Sequence, residues 1–346
     1  MSFRFGYVAI LGRPNAGKST LVNALVGQKV AIVSPRPQTT RNRIQGIVNR
    51  PDAQFVLVDT PGIHRPETAL GRQMMQEVSQ ALDGVNALAL IVDAAEHRNS
   101  KLDIRNSKGE KRRAAGQRNS KFETRNSISL PLRHSATSPL LVGPGDRYAL
   151  EMARRFRGPV YLLLNKIDLM AKGRLLPLID AYQKEHGFAE IIPISALTGD
   201  GLDRFVTALL ERLPEGPPHF PPEQFTDQPE RFLAAEIVRE KVIRATYKEV
   251  PHAVAVLVDS FEEEGKLIRI RATIYIEREG QKGIIIGRGG EMLKKTGTAA
   301  RLELEEILGA KVFLELHVKV QRDWRENPAI VRMLDWRRQL EQLGRE

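Results

Sequence analysis

A mostly parallel α/β sheet with helices on both faces, followed by a smaller α+β domain, is the fold class this sequence predicts. Three observations carry it. A glycine-bounded loop, Gly12-Arg13-Pro14-Asn15-Ala16-Gly17-Lys18-Ser19-Thr20, lies between an apolar run, Tyr7 to Leu11, and a helical pattern, Leu21, Val22 and Leu25. Strand-like segments at 53–58, 87–92, 159–164 and 191–194 each end in a polar motif, as the strands of a parallel sheet do at its ligand edge. Beyond a proline-rich stretch, Pro214 to Pro222, the order becomes helix, strand, strand, helix, strand.

With 346 residues, of which 42% are hydrophobic, the chain is long enough for two packed domains. It contains no cysteine, which excludes disulfides and thiolate metal sites and favours a reducing compartment. No run approaches the ~18 apolar residues of a membrane span, so a soluble, cytoplasmic protein is expected. The net charge of +11 suggests nucleic acid, but the segment from His97 to Gly143 holds 11 basic and 3 acidic residues. That segment supplies +8, leaving +3 for the rest of the chain. The overall charge therefore says little about what the folded domains bind.

Gly12 and Gly17 let the loop wrap so that successive N–H groups face phosphate oxygens, and the helix that follows adds its positive end. Lys18 is spaced to reach the β- and γ-phosphates, and the Ser19 hydroxyl to ligate Mg²⁺. Ser34 to Arg41 is polar and proline-rich; it reads as a mobile loop, carrying Thr39 and Thr40. The segments 43–49 and 53–58 are strand-like, and the second ends in Asp59-Thr60-Pro61-Gly62. There Asp59 can hold Mg²⁺ through a bound water, and the Gly62 N–H can meet a γ-phosphate.

The base is chosen further on. The strand at 159–164 ends in Asn165-Lys166-Ile167-Asp168, and that at 191–194 in Ser195-Ala196-Leu197. The Asp168 carboxylate can accept from both N1–H and the exocyclic amine of guanine, whereas adenine would leave it unpaired, a discrimination of ~10³-fold or more. Asn165 is expected to brace the loop and guanine's far edge, and the Ser195 and Ala196 backbone to donate to O6.

These segments, with Ser34 to Arg41 as switch I, Asp59 to Ile63 as switch II and Thr40 as a further Mg²⁺ ligand, resemble the five signature motifs of translation-factor-class GTPases, which implies that the first domain is a P-loop GTPase domain. Ile63 follows Gly62 where many GTPases carry a water-positioning glutamine. The chain thus resembles the subgroup with an apolar residue there, and slow intrinsic turnover is expected. Asn15 is like the asparagine that in some of that subgroup helps hold K⁺; the other reading is that it bonds the loop to itself.

About fifty residues after the strand at 87–92 do not fit this pattern. Arg-Asn-Ser recurs at 98, 105, 118 and 125, and the repeating positions are polar, so no coiled-coil seam forms. The composition reads as a disordered basic insertion spanning 97–143. Helices are expected at 147–156, 175–186 and 202–213, closing a first domain of 1–213, with 214–225 a stiff, extended linker.

From 226 to 325 the reading is helix 231–247, strands 253–260 and 267–276, then Ile286-Gly287-Arg288-Gly289-Gly290, helix 291–308 and a final strand. That order resembles a type II KH domain, an α+β fold whose glycine-rich loop clamps single-stranded nucleotides by their backbone. Arg288, Lys282, Lys294 and Lys295 would supply charge, although 226–346 is nearly neutral, with 22 basic and 21 acidic residues. A charged helix is expected within 326–346.

A GTPase joined by a proline-rich linker to a C-terminal KH domain resembles the bacterial Era family, with Gln38 to Arg41, Asp59 to Gly62, Asn165 to Asp168 and Gln281 to Gly290 carrying the likeness. The resemblance implies GTP binding and hydrolysis to GDP, contact with small-subunit ribosomal RNA near its 3′ end, and a part in assembling the small ribosomal subunit. It also implies some association with the cytoplasmic face of the inner membrane; a monomer is expected. An RNA-binding module with a broken nucleotide site would need a defective motif, and none is present. An ATPase or kinase would lack Asp168.

Overall fold

The structure, a computed structural model, describes residues 2–64, 66–99, 142–248 and 250–337. The insertion expected at 97–143 therefore lies almost wholly outside the described residues, as does most of the helix expected at the C-terminus. The two flanks of the insertion meet at one side chain: Arg13 pairs with Glu96 at 2.6 Å and approaches Asp146 at 3.9 Å.

In the first half, β1 (Arg4–Gly12), α1 (Lys18–Val26), β2 (Ile44–Asn49), β3 (Ala53–Asp59), α2 (Ala69–Gln80) and β4 (Ala87–Asp93) come before the insertion. After it come α3 (Pro144–Ala153), β5 (Val160–Asn165), α4 (Leu175–Gln183), β6 (Glu190–Pro193) and α5 (Leu202–Leu210). The strands form one sheet in the order β2-β3-β1-β4-β5-β6, all parallel except β2, which runs antiparallel to β3. Both faces are buried, which is why the strands read as continuous apolar runs. Alternate residues of β1 show it: Val8 and Ile10 join the core under α1 and α5, while Ala9 and Leu11 join the core under α2, α3 and α4.

The second half holds α6 (Glu230–Ala245), β7 (Ala255–Glu264), β8 (Leu267–Ile276), α7 (Glu279–Ile286), α8 (Glu291–Leu308), β9 (Lys311–Val320) and α9 (Pro328–Met333). The sheet order is β7-β8-β9, antiparallel then parallel. Ile268, Ile270, Ala272, Ile274 and Ile276 of β8 all pack beneath the helices, as strict alternation requires.

Three features differ from the sequence reading. The stretch 214–225 is extended but pinned along the first sheet: Phe5 N donates to the Pro214 carbonyl at 3.1 Å and Ile47 N to that of Phe225 at 2.8 Å. Helix α2 rises where the sequence reading has no element, its N-cap Thr68 hydroxyl accepting from Gly71 N at 3.0 Å. At the C-terminus, the described residues form a 3₁₀ turn, Trp324–Glu326, the short α9 and a helical start at Trp336 and Arg337, beyond which the expected helix lies outside the described residues. They are packed rather than solvated: Trp324, Val331 and Leu334 share a cluster with Leu70 and Met74 of α2. No helix among the described residues is long and apolar enough to cross a membrane.

Candidate nucleotide site and nucleic-acid loop

The glycine-bounded loop sits where the sequence places it, between β1 and α1, at the carboxyl edge of the sheet. Gly17 is the N-cap of α1 with φ +103°, and a Cβ there would stand 2.2 Å from the Asn165 amide nitrogen, so only glycine fits. A cleft of about 460 Å³ opens over the loop, lined by Pro14, Asn15, Gly17, Lys18, Ser19 and Thr20 from below and by Pro35, Gln38, Thr39 and Thr40 of switch I from above. Gly62 closes one side and Asp93 and Lys166 another. Gly12 and Ala16 do not line the cleft, their carbonyls accepting from Lys18 and Asn165, and Arg13 is drawn off to Glu96.

Lys18 is buried, its ammonium donating to the Gly12 and Arg13 carbonyls at 3.2 and 2.9 Å. Burial pushes it down from 10.5 to about 8, with the nearby Asp59 carboxylate opposing. Between pH 8 and 10.5 the unfolded chain holds this proton and the empty folded protein does not, so stability rises with pH across that window. Phosphate binding needs the cation, so the sign for affinity is opposite. The dissociation constant for GDP is expected to weaken by up to about tenfold per pH unit above 8. Calorimetric titrations between pH 7 and 9.5 check this, and a flat profile would contradict it.

Ser19, Thr40 and Asp59 converge. The Ser19 hydroxyl donates to Asp59 Oδ2 at 2.6 Å and lies 2.8 Å from the Thr40 hydroxyl, itself 3.4 Å from the same carboxylate oxygen. Asp59 is fully buried, which raises its carboxyl above the usual range against the pull of Lys18, and its Oδ1 has no partner among the described residues. Three hard oxygen donors with one orphaned carboxylate oxygen suit Mg²⁺: the two hydroxyls would ligate it and Asp59 would hold one of its waters.

The rest of the motif following β3 is structural. The Thr60 hydroxyl donates to the Ile10 carbonyl at 2.7 Å, Pro61 leads into Gly62 against Pro14, and Ile63 is 3% exposed in the core beside Ala9 and Leu11. Ile63 thus has neither the chemistry nor the position to orient water. Thr39 turns away from the metal end, its hydroxyl bonding to the Arg36 carbonyl at 2.7 Å. Asn15 does not bond the loop to itself; its amide donates to the Pro35 carbonyl at 3.1 Å, tying the loop to switch I.

At the other end, Asn165 is buried and acts as the expected brace, donating to the Ala16 carbonyl at 2.8 Å and accepting from Ala196 N at 2.9 Å. Lys166 takes a left-handed backbone, φ +67°, and its ammonium meets Asp93. Asp168 follows, exposed, beyond the cleft lining. Ser195 does not match the expectation that it donates to the base: its N–H goes to the Asp200 carbonyl at 3.0 Å and its hydroxyl accepts from Thr198 N at 3.2 Å. It closes the loop after β6; the Ala196 N–H is likewise occupied, by Asn165, which leaves the exposed Asp168 carboxylate as the expected base contact.

Two positioning residues escaped the sequence reading. Asn23 accepts from the N–H groups of Val30 and Ala31 and donates to the Ala31 carbonyl, fixing where switch I departs. His64 bonds through Nδ1 to the Gly62 carbonyl at 2.8 Å and faces Gln38 through Nε2 at 3.5 Å. Neither belongs to a spaced motif, and both act on main chain or on a residue distant in sequence.

In the second domain the Gly287 to Gly290 loop joins α7 to α8. Gly287, Gly289 and Gly290 all have positive φ, and a Cβ on Gly289 or Gly290 would meet nothing within 4 Å. The loop therefore stands open on its outer side, with Arg288, Lys294 and Lys295 exposed, Lys282 half-buried on α7 and Ile286 half-buried at its base. Among the described residues no cluster of three His, Asp or Glu side chains forms a second metal site.

Fold and site define a P-loop GTPase that carries a KH domain. Family models agree: one described as a 50S ribosome-binding GTPase matches residues 7–121 and one described as a KH domain matches 249–325. Among solved structures, the chain is similar to Era in complex with MgGDPNP and nucleotides 1506–1542 of 16S ribosomal RNA, at 39% identity over 96% of this chain and 99% of that one, TM-score 0.79. It is similar to a tyrosine-to-alanine variant of Aquifex aeolicus Era bound to GDP and aluminium fluoride, at 38% identity over the same shares, TM-score 0.79. The chain belongs to the Era family of GTPases.

Proposed function

We propose that this protein binds GTP with Mg²⁺, hydrolyses it to GDP and phosphate, and uses its KH loop to hold single-stranded RNA near the 3′ end of small-subunit ribosomal RNA during assembly of that subunit. The observation that carries the reading is the meeting of Ser19, Thr40 and Asp59 beside Lys18, under a switch segment folded over the cleft. The two Era structures, one holding MgGDPNP with a 16S RNA segment and one holding GDP with aluminium fluoride, support it.

In the reaction, the loop N–H groups and Lys18 bind the β- and γ-phosphates and offset the charge that develops on them. Mg²⁺, when bound, would offset charge on those phosphates; Ser19 and Thr40 would ligate it, and Asp59 would hold one of its waters. Ile63, locked in the core, contributes packing only, which fits slow turnover. Asn15 would serve a K⁺ ion beside the phosphates through its side-chain oxygen, its amide nitrogen donating to the Pro35 carbonyl of switch I.

Base choice provides the test. Asp168→Asn replaces an acceptor by a donor and should shift preference from guanine toward xanthine nucleotides by about 10³-fold or more. Competition binding with GTP, XTP and ATP measures it; a parent protein that bound ATP as tightly as GTP would overturn the guanine reading.

A further inference from the structure

Switch I is held from both sides. Facing the cleft, Thr40 meets Ser19 and Asp59; on its outer side the main chain is gripped by α6 and by Gln228 just before it. The Gln228 amide donates to the Val30 carbonyl at 3.0 Å, Glu240 accepts from Val33 N at 3.2 Å, and Arg244 donates to the Val33 carbonyl at 2.9 Å. Arg239 donates through Nη2 to the Thr39 carbonyl. Arg41 leaves in the opposite direction, donating to the Val254 and His252 carbonyls at 2.8 and 3.3 Å with its guanidinium over Trp324.

Arg239 is the best placed of these. It is 1% exposed, and Glu236 one turn earlier pins two of its nitrogens, Nε to Oε1 at 2.7 Å and Nη2 to Oε2 at 2.5 Å. A fork-to-fork pair of this kind fixes the guanidinium plane, so the donor offered to Thr39 is oriented in advance. The Thr39 carbonyl and the Thr40 N–H belong to one planar trans peptide and point opposite ways. Holding that carbonyl against α6 therefore directs the Thr40 N–H away from α6 and fixes the residue whose hydroxyl stands 2.8 Å from Ser19.

We propose that Arg239, together with Arg244 further along the same helix, is a positioning residue for GTP hydrolysis: from the KH domain it holds switch I so that Thr40 stays at the metal end of the site. The inference rests on the reading of Thr40 as a metal ligand. It makes the KH domain part of the GTPase machinery in cis, through main-chain carbonyls of the other domain.

The test uses the full chain and compares Glu236→Gln/Arg239→Met, which removes the buried pair together so that no charge is orphaned, with Arg244→Ala, whose side chain is 51% exposed and whose loss leaves the buried Glu240 still paired with Lys29. Thr40→Ala is the reference. The pair variant should lower kcat about tenfold and Arg244→Ala about threefold, with GTP-analogue affinity reduced and GDP affinity within about twofold of the parent. In a Thr40→Ala background neither should lower kcat further. If the pair variant does not fold, Arg244→Ala decides. Unchanged kcat in the folded variants, or an undiminished further loss in the Thr40→Ala background, would overturn the proposal. A Thr40→Ala protein with normal kcat and normal Mg²⁺ dependence would instead sink the reading of Thr40 itself.

Discussion

Lys18→Ala should lose GTP and GDP together, by about 10³-fold or more, while the empty protein keeps its fold. Two charge-assisted contacts to phosphate, at about 1.5–3 kcal/mol each, give a loss of that size. The fold survives because the empty site disfavours the cation. A lysine lowered from 10.5 to about 8 costs the folded state about 3 kcal/mol at neutral pH, a cost that alanine removes. Equilibrium binding of both nucleotides with a thermal melt of the empty protein separates the two effects. Tight GDP binding by a folded Lys18→Ala protein would mean that the ammonium is not the phosphate contact.

Gly289→Asp combined with Gly290→Asp should remove RNA binding and leave GTP affinity in the absence of RNA unchanged. Each new Cβ enters open space, and aspartate tolerates the left-handed backbone at φ +61° and +82° better than most residues, so α7 and α8 should keep their packing. What changes is the loop's outer face, where two carboxylates would stand against the phosphates it is meant to clamp. A fall of at least about 100-fold in affinity for a single-stranded oligonucleotide is expected. Retained RNA affinity would place the RNA surface elsewhere on the domain.

The catalytic half was legible because each chemical motif ends a strand of a sheet buried on both faces, so apolar runs and polar termini mark one another. The RNA loop was legible for a similar reason, as β8 alternates strictly before it. Helix α2 was not, because its buried Leu70, Met74 and Val78 are spread among polar residues and two of them pack on the other domain. Helix α7 has only eight residues, too short for its period to show. Ser195 was misassigned because a motif names residues without saying which backbone donors the local turn has already consumed. The grip of α6 on switch I was invisible for a deeper reason: its acceptors are the carbonyls of Val33 and Thr39, which every sequence possesses.

That grip places one segment, which lines the nucleotide cleft, between the two ligand sites. Helix α8 starts at the RNA loop, and its Glu303 pairs with Lys29 at the entrance to switch I, so both domains bear on the same segment. If GTP changes RNA affinity through it, RNA must change GTP affinity by the same factor. The direct measurement is a titration of a single-stranded fragment from the small-subunit ribosomal RNA 3′ end against the GDP-bound and GTP-analogue-bound protein. Dissociation constants differing by about 5–150-fold between the two forms are the predicted result; equal constants would mean that the domains act independently and would contradict the account.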